Sequence, residues 1–72
     1  MNIHPEMLTQ LMAYYVPGTR VCLVRMDDPY TKLIPGATGT VSFVDDIGTV
    51  HVNWDCGSSL GVVFGEDEIT KI

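Results

Sequence analysis

The apolar residues near the N-terminus recur at the spacing of one helix face. Pro5 suits the first turn of a helix, because the amide hydrogen that it lacks has no partner there. Pro17 pushes the residue before it out of helical backbone angles, so we predict a helix that ends near Val16. A helix of about eleven residues is marginal alone in water, and its apolar face is expected to pack on the rest of the domain or on a partner. That face comprises Met7, Leu8, Leu11, Met12 and Tyr15.

After Gly18 the pattern changes to the period of two that is typical of strands. Val50, Val52 and Trp54 alternate with polar residues, which predicts that they share one face of a strand. The run that precedes them breaks its period at Phe43, which indicates a bulge or a strong twist. A short connection that ends in Gly48 joins these two runs and predicts a hairpin. With "TRVCLVRM", "SSLGVV" and "ITKI" the chain has about five short strands, a number that favours a small antiparallel barrel.

Size and charge limit the classes of function. The chain has 72 residues, enough for one small domain, and its nine acidic and four basic residues give a net charge of −5. A domain this acidic lacks the basic surface of a nucleic-acid-binding protein, and it is not expected to bind anionic membranes. The N-terminus does not have the pattern of a signal peptide, and no run of about 18–20 apolar residues could span a membrane. Two cysteines without Cys-x-x-Cys spacing indicate reduced thiols, so we expect a soluble, cytoplasmic protein.

The residues with reactive side chains do not form a pattern that indicates catalysis. Cys56 follows Asp55, and a neighbouring negative charge does not stabilise a thiolate. His4, His51 and the two cysteines lack the pair spacing of a zinc site. We therefore predict no catalytic residues, no metal and no cofactor, and we do not expect an enzyme.

Two stretches are candidates for binding a partner. The longest predicted loop opens with Asp27, Asp28, Pro29 and Tyr30, and acidic residues beside an aromatic ring serve either loop structure or recognition. Trp54 ends a strand, where it either anchors the core or also contributes to the rim of the barrel. Asp55 follows it in the turn. The partner-binding hypothesis therefore rests on Asp27, Asp28, Tyr30, Trp54 and Asp55.

Several blocks taken together resemble a known family. They are "LVRMDDPYTKL", "PGATGTV", "VDDIGTVHVNWDCGSSLG" and "GEDEI", and over residues 17–72 the chain closely resembles the small bacterial family known as domain of unknown function 4314. The resemblance implies an accessory protein of Gram-positive bacteria, their phages or their conjugative elements, and it supplies no catalytic residues. The segment "VNWDCG" is also similar to SH3-like barrel modules that bind peptides or proteins. We therefore expect an SH3-like antiparallel barrel over residues 17–72, with the helix in residues 1–16 packed on it.

The leading hypothesis for function is a non-catalytic protein-interaction module of a mobile element or phage, with an unidentified protein partner. One alternative is an acidic decoy that inhibits a nucleic-acid-binding enzyme, which requires the acidic residues to gather on one face. Another is a nucleic-acid-binding SH3-like domain, against which the net charge argues. The apolar helix face also allows a homodimer.

Overall fold

The N-terminal apolar stripe forms a helix, α1 (Pro5–Tyr14), in a computed structural model that describes residues 4–27 and 33–72. Nδ1 of His4 accepts the N–H of Glu6 at 3.2 Å and caps the start of the helix. At the other end the N–H of Tyr15 donates to the carbonyl of Leu11 at 2.9 Å. The helix thus ends at Tyr14, three residues before Pro17 and close to the predicted end near Val16.

Five strands follow the helix in one antiparallel sheet. They are β1 (Arg20–Arg25), β2 (Thr38–Val44), β3 (Thr49–Trp54), β4 (Gly61–Val63) and β5 (Glu68–Lys71). Their order in the sheet is β4-β3-β2-β1-β5. The sheet curves into a barrel-like shape, so that its two edge strands, β4 and β5, also contact each other. The expectation of a mainly β domain with about five antiparallel strands and an N-terminal helix is confirmed.

The core lies on the concave side of the sheet, under α1. Alternate residues of each long strand point into it, as the period of two predicts. Leu11 of α1 is buried in the same cluster and thereby attaches the helix to the sheet. The buried apolar residues are Leu11, Val21, Leu23, Leu33, Val41, Val50, Val52, Trp54 and Val62.

Two local features of β2 determine how it pairs with β3. Gly39 lies opposite Trp54, and a methyl group at Gly39 would come within 2.6 Å of Cγ1 of Val52 and 2.9 Å of the carbonyl oxygen of Asn53. The register then shifts between Val41 and Phe43, one residue before the predicted break. This bulge turns Phe43 outward, where half of its surface is exposed.

Candidate functional site: the groove between α1 and the turn before β5

The turn of residues 64–67, which connects β4 to β5, is held by one carboxylate. Oδ2 of Asp67 accepts the N–H of Val63 at 3.0 Å, and the carbonyl of Val63 accepts the N–H groups of Glu66 and Asp67 at 3.1 and 2.9 Å. Oδ1 of Asp67 accepts the N–H of Asp27 at 2.8 Å. Asp67 therefore fixes the turn and also ties it to the chain that leaves β1.

An apolar depression opens between this turn and α1. It has a volume of about 310 Å³, and its floor consists of Leu11, Val50, Val62 and Ile69. A shallower depression of about 270 Å³ adjoins it along the helix and shares Leu11 and Phe64 with it. We call the two together the α1 groove. Its rim residues are Met7, Gln10, Tyr14, Tyr15, Arg25, Phe64, Gly65, Asp67 and Glu68.

The aromatic residues on the helix side of the α1 groove pack on one another. The rings of Tyr14 and Tyr15 meet edge to face, with 4.7 Å between their centroids, and Nζ of Lys71 lies 3.8 Å from the centroid of Tyr14. Burial raises the pKa of the Tyr15 phenol, and the neighbouring Tyr14 raises it further. Tyr15 is therefore neutral at physiological pH and presents a hydroxyl group that can donate a hydrogen bond at an otherwise apolar wall.

A second depression lies on the other side of the same turn. It has a volume of about 180 Å³ and borders the free edge of β4. Asp67 lines both this depression, which we call the edge pocket, and the α1 groove, so the turn forms a ridge between them. The edge pocket is lined by Met26, Asp27, Leu60, Gly61, Val63, Glu66 and Asp67.

The residues of the predicted apolar helix face differ in how deeply they are buried. Leu11 is buried, whereas Leu8 and Tyr15 are half-buried. Met7 and Met12 are exposed by 41% and 38% of their surface. The centre of the predicted face thus packs within the chain, and Met7 extends the exposed apolar surface along the α1 groove.

Of the predicted partner-binding residues, the three that the structure describes do not lie together on one surface. Trp54 is 3% exposed and belongs to the core, where its indole N–H donates to the carbonyl of Leu60 at 2.9 Å. Asp55 is held by Arg20 at the start of β1, whereas Asp27 follows the other end of that strand. A strand of this length separates its ends by about 20 Å. Asp28 and Tyr30 lie outside the described residues.

The carboxylate of Asp55 is part of a cross-strand network. It receives two hydrogen bonds from the guanidinium of Arg20, at 2.8 and 2.6 Å, and one from the hydroxyl of Thr38 at 2.6 Å. The Arg20 hydrogen bonds, followed by the Thr38 hydrogen bond, hold the pKa of the Asp55 carboxyl well below its usual range. Both oxygens of Asp55 are therefore engaged within the domain.

A second polar and aromatic cluster lies on the convex side of the sheet. The rings of Phe43 and His51 stack with 4.3 Å between centroids and 11° between planes. Nε2 of His51 lies 2.8 Å from Oδ2 of Asp45, and Oδ1 of Asp45 accepts the N–H groups of Ile47 and Thr49. The hydrogen bond with His51, assisted by those from Thr49 and Ile47, lowers the pKa of Asp45. Asp45 thereby links the hairpin turn to the side chain of His51.

Sequence reasoning did not single out Phe64, Glu66 and Glu68 as site residues. The signal was an aromatic residue next to a dense acidic run, "FGEDE", directly after a strand. Phe64 is 41% exposed although it is large and apolar. Its position opposite α1 depends on the curvature of the sheet, which the local pattern does not contain.

The described residues were also searched for metal ligands and for membrane spans. Among residues 4–27 and 33–72, no group of three His, Cys, Asp or Glu side chains is placed to hold a metal ion. In the same ranges, no helix is both long and apolar enough to cross a membrane. Cys22 and Cys56 are both free thiols.

Comparison with known protein families gives a match over most of the chain. The family model described as Domain of unknown function (DUF4314) matches residues 4–72. The chain belongs to this family. No match was found among curated proteins, and none among solved structures. The DUF4314 match includes α1 as well as the sheet, so both walls of the α1 groove lie within the matched residues.

Proposed function

We propose that this DUF4314 protein is a non-catalytic protein-interaction module, and that it holds a segment of a partner protein in the α1 groove. The observation that carries the proposal is an apolar pocket of about 310 Å³ whose floor is the domain core itself. Pockets of a few hundred Å³ with apolar walls and a few polar rim groups are typical of binding sites. Exposed apolar surface that is contiguous, as at Met7, Tyr14 and Phe64, marks interaction surfaces.

The partner in this proposal is a different protein rather than a second copy of the chain. In a twofold dimer the same patch meets itself, so a rim that carries Asp67 and Glu68 would face a second acidic rim. Like charges that meet in this way oppose association, and the net charge of −5 adds to the repulsion. We therefore favour a foreign partner over a homodimer that forms through the helix face.

We place the module among cytoplasmic accessory proteins of bacterial mobile elements or phages. The support is the resemblance of its motif blocks to that group and the two free cysteines, which suit a reducing compartment. The acidic decoy is kept as an alternative, because Asp27, Glu66, Asp67 and Glu68 line two neighbouring depressions. It requires that the partner be a nucleic-acid-binding enzyme that loses its nucleic acid when the module binds.

Site-specific photocrosslinking in the native host tests the proposal. Benzoylphenylalanine replaces Phe64 in one variant and Phe43 in the other. Both positions carry exposed aromatic rings, but Phe43 lines neither the α1 groove nor the edge pocket. We expect a discrete crosslinked partner from position 64 and none from position 43.

The crosslinked product also identifies the occupant by mass. A product with twice the mass of the chain would show a homodimer and would contradict the choice of a foreign partner. Equal labelling from positions 64 and 43, or no product from position 64, would contradict the groove as the binding surface. If the partner binds nucleic acid, displacement of that nucleic acid by the purified module decides for the decoy.

A further inference from the structure

The ridge between the two depressions carries most of the unpaired negative charge in this part of the molecule. Glu68 lines the α1 groove, Glu66 and Asp27 line the edge pocket, and Asp67 lines both. Within residues 4–27 and 33–72, the carboxylates of Asp27, Glu66 and Glu68 make no hydrogen bond or ion pair. Both carboxylate oxygens of Asp67 accept backbone N–H groups, so its charge adds to the ridge while its geometry stays fixed.

Outside the ridge, two of the described carboxylates have partners of their own. Asp55 pairs with Arg20, and Asp45 bonds to His51. Arg25 is the one basic residue that lines either depression in the described part of the chain. The surface therefore combines the apolar α1 groove with a net negative ridge and, beyond the ridge, an edge pocket that three carboxylates line.

We infer that the partner segment carries a basic residue close to an apolar side chain. The apolar side chain enters the α1 groove, and the basic residue lies across the ridge beside Glu66 and Glu68. This inference rests on the proposed function and specifies the chemistry of its partner. The pairing of opposite charges at the rim favours such a segment over neutral or acidic ones of the same apolar content.

Binding of labelled peptides to the whole chain tests the inference by fluorescence polarisation. The probe is an end-capped peptide in which a leucine and a tryptophan flank two lysines. One comparison peptide has glutamine in place of the lysines, and the other has serine in place of both apolar residues. We expect the first peptide to bind most tightly, and its affinity to fall as salt is added.

Matched protein variants separate the contribution of charge from that of the groove. Glu66→Gln combined with Glu68→Gln is expected to weaken binding of the lysine peptide by about twofold to fivefold for each carboxylate. The same variant should leave the glutamine peptide unchanged. Asp46→Asn, an exposed carboxylate that lines neither depression, is the control for net charge and should leave both affinities unchanged.

The outcomes distinguish this inference from the proposed function. If the lysine and glutamine peptides bind equally, or if the double variant has no effect, the inferred partner chemistry is wrong while the groove function stands. If crosslinking from position 64 yields a partner whose crosslinked segment lacks a basic residue close to an apolar one, the inference is overturned in the same way. If no peptide binds and position 64 yields no partner, both fail.

Discussion

Arg20 and Asp55 are joined by two parallel hydrogen bonds, from Nη1 to Oδ1 at 2.8 Å and from Nη2 to Oδ2 at 2.6 Å. They lie 35 residues apart in the chain, at the start of β1 and just after β3, with β2 between them. Nη1 of Arg20 also donates to the hydroxyl of Thr40, and Thr38 donates to Asp55. This network spans three strands and gives Asp55 a structural role within the domain.

The Arg20–Asp55 pair is expected to make the stability of the fold depend on pH. Because the folded pKa of Asp55 is depressed, the pair stabilises the fold fully above the unfolded value of about 4 and loses this contribution as pH falls toward the lower folded value. We expect Asp55→Asn to lower the melting temperature at neutral pH, and the difference from wild type to shrink below about pH 4. Calorimetry across this range measures it.

The control for this experiment is Asp46→Asn, which removes an exposed carboxylate. It should lower the melting temperature little at any pH. Both side chains of the pair are more than 40% exposed, so added salt is expected to reduce the effect of Asp55→Asn. A difference from wild type that persists unchanged into strong acid would show that the charge of Asp55 is not what stabilises the fold.

The hairpin turn between β2 and β3 gives a second prediction, on two adjacent aspartates. Asp45 accepts two backbone N–H groups and contacts His51, whereas Asp46 is exposed and makes no such contacts. We expect Asp45→Ala to lower the free energy of unfolding by about 1–3 kcal/mol. Asp46→Ala should change it by less than about 0.5 kcal/mol. Urea denaturation measures both, and equal effects would contradict the structural role of Asp45.

Most of the fold can be predicted from local sequence patterns, namely the alternation of apolar and polar residues in strands and the residue types that are typical of turns. The period of Val50, Val52 and Trp54 predicted which face of β3 is buried, and Pro17 marked the end of the helix region. These features depend on residues that are neighbours in the chain, and a short window of sequence contains them. The helix, the hairpin and the outward position of Phe43 follow from such windows.

The candidate site depends instead on how distant segments meet. The α1 groove forms because the sheet curves until Phe64 lies beside Leu11 and Met7. No local pattern specifies that curvature, since it arises from the summed twist of five strands. The relative position of distant segments also explains why Trp54 and Asp27, which the sequence suggested as parts of one binding surface, lie on different parts of the domain.

A third prediction concerns two glycines that are required for different reasons. A methyl group at Gly39 would overlap Val52 and the backbone of β3, whereas the space beside Gly36 is open but its φ is +98°. Gly39→Ala must shift a strand and is expected to cost about 1–3 kcal/mol or more. Gly36→Ala incurs only backbone strain, of about 1–2 kcal/mol. Thermal unfolding should therefore rank Gly39→Ala as the more harmful, and the reverse order would contradict the close approach of β2 and β3.

The last prediction separates the floor of the α1 groove from its rim. Val62 is 3% exposed, so Val62→Ala is expected to lower the free energy of unfolding by about 1–3 kcal/mol through lost burial and a cavity. Phe64 is 41% exposed, so Phe64→Ser should cost less than about 1 kcal/mol while it removes the largest apolar group of the rim. Urea denaturation gives both values. A large loss for Phe64→Ser would show that the ring stabilises the domain, which would explain its presence without a partner. A small loss would show that stability does not account for the exposed ring beside the apolar pocket, as expected if Phe64 serves the proposed partner binding.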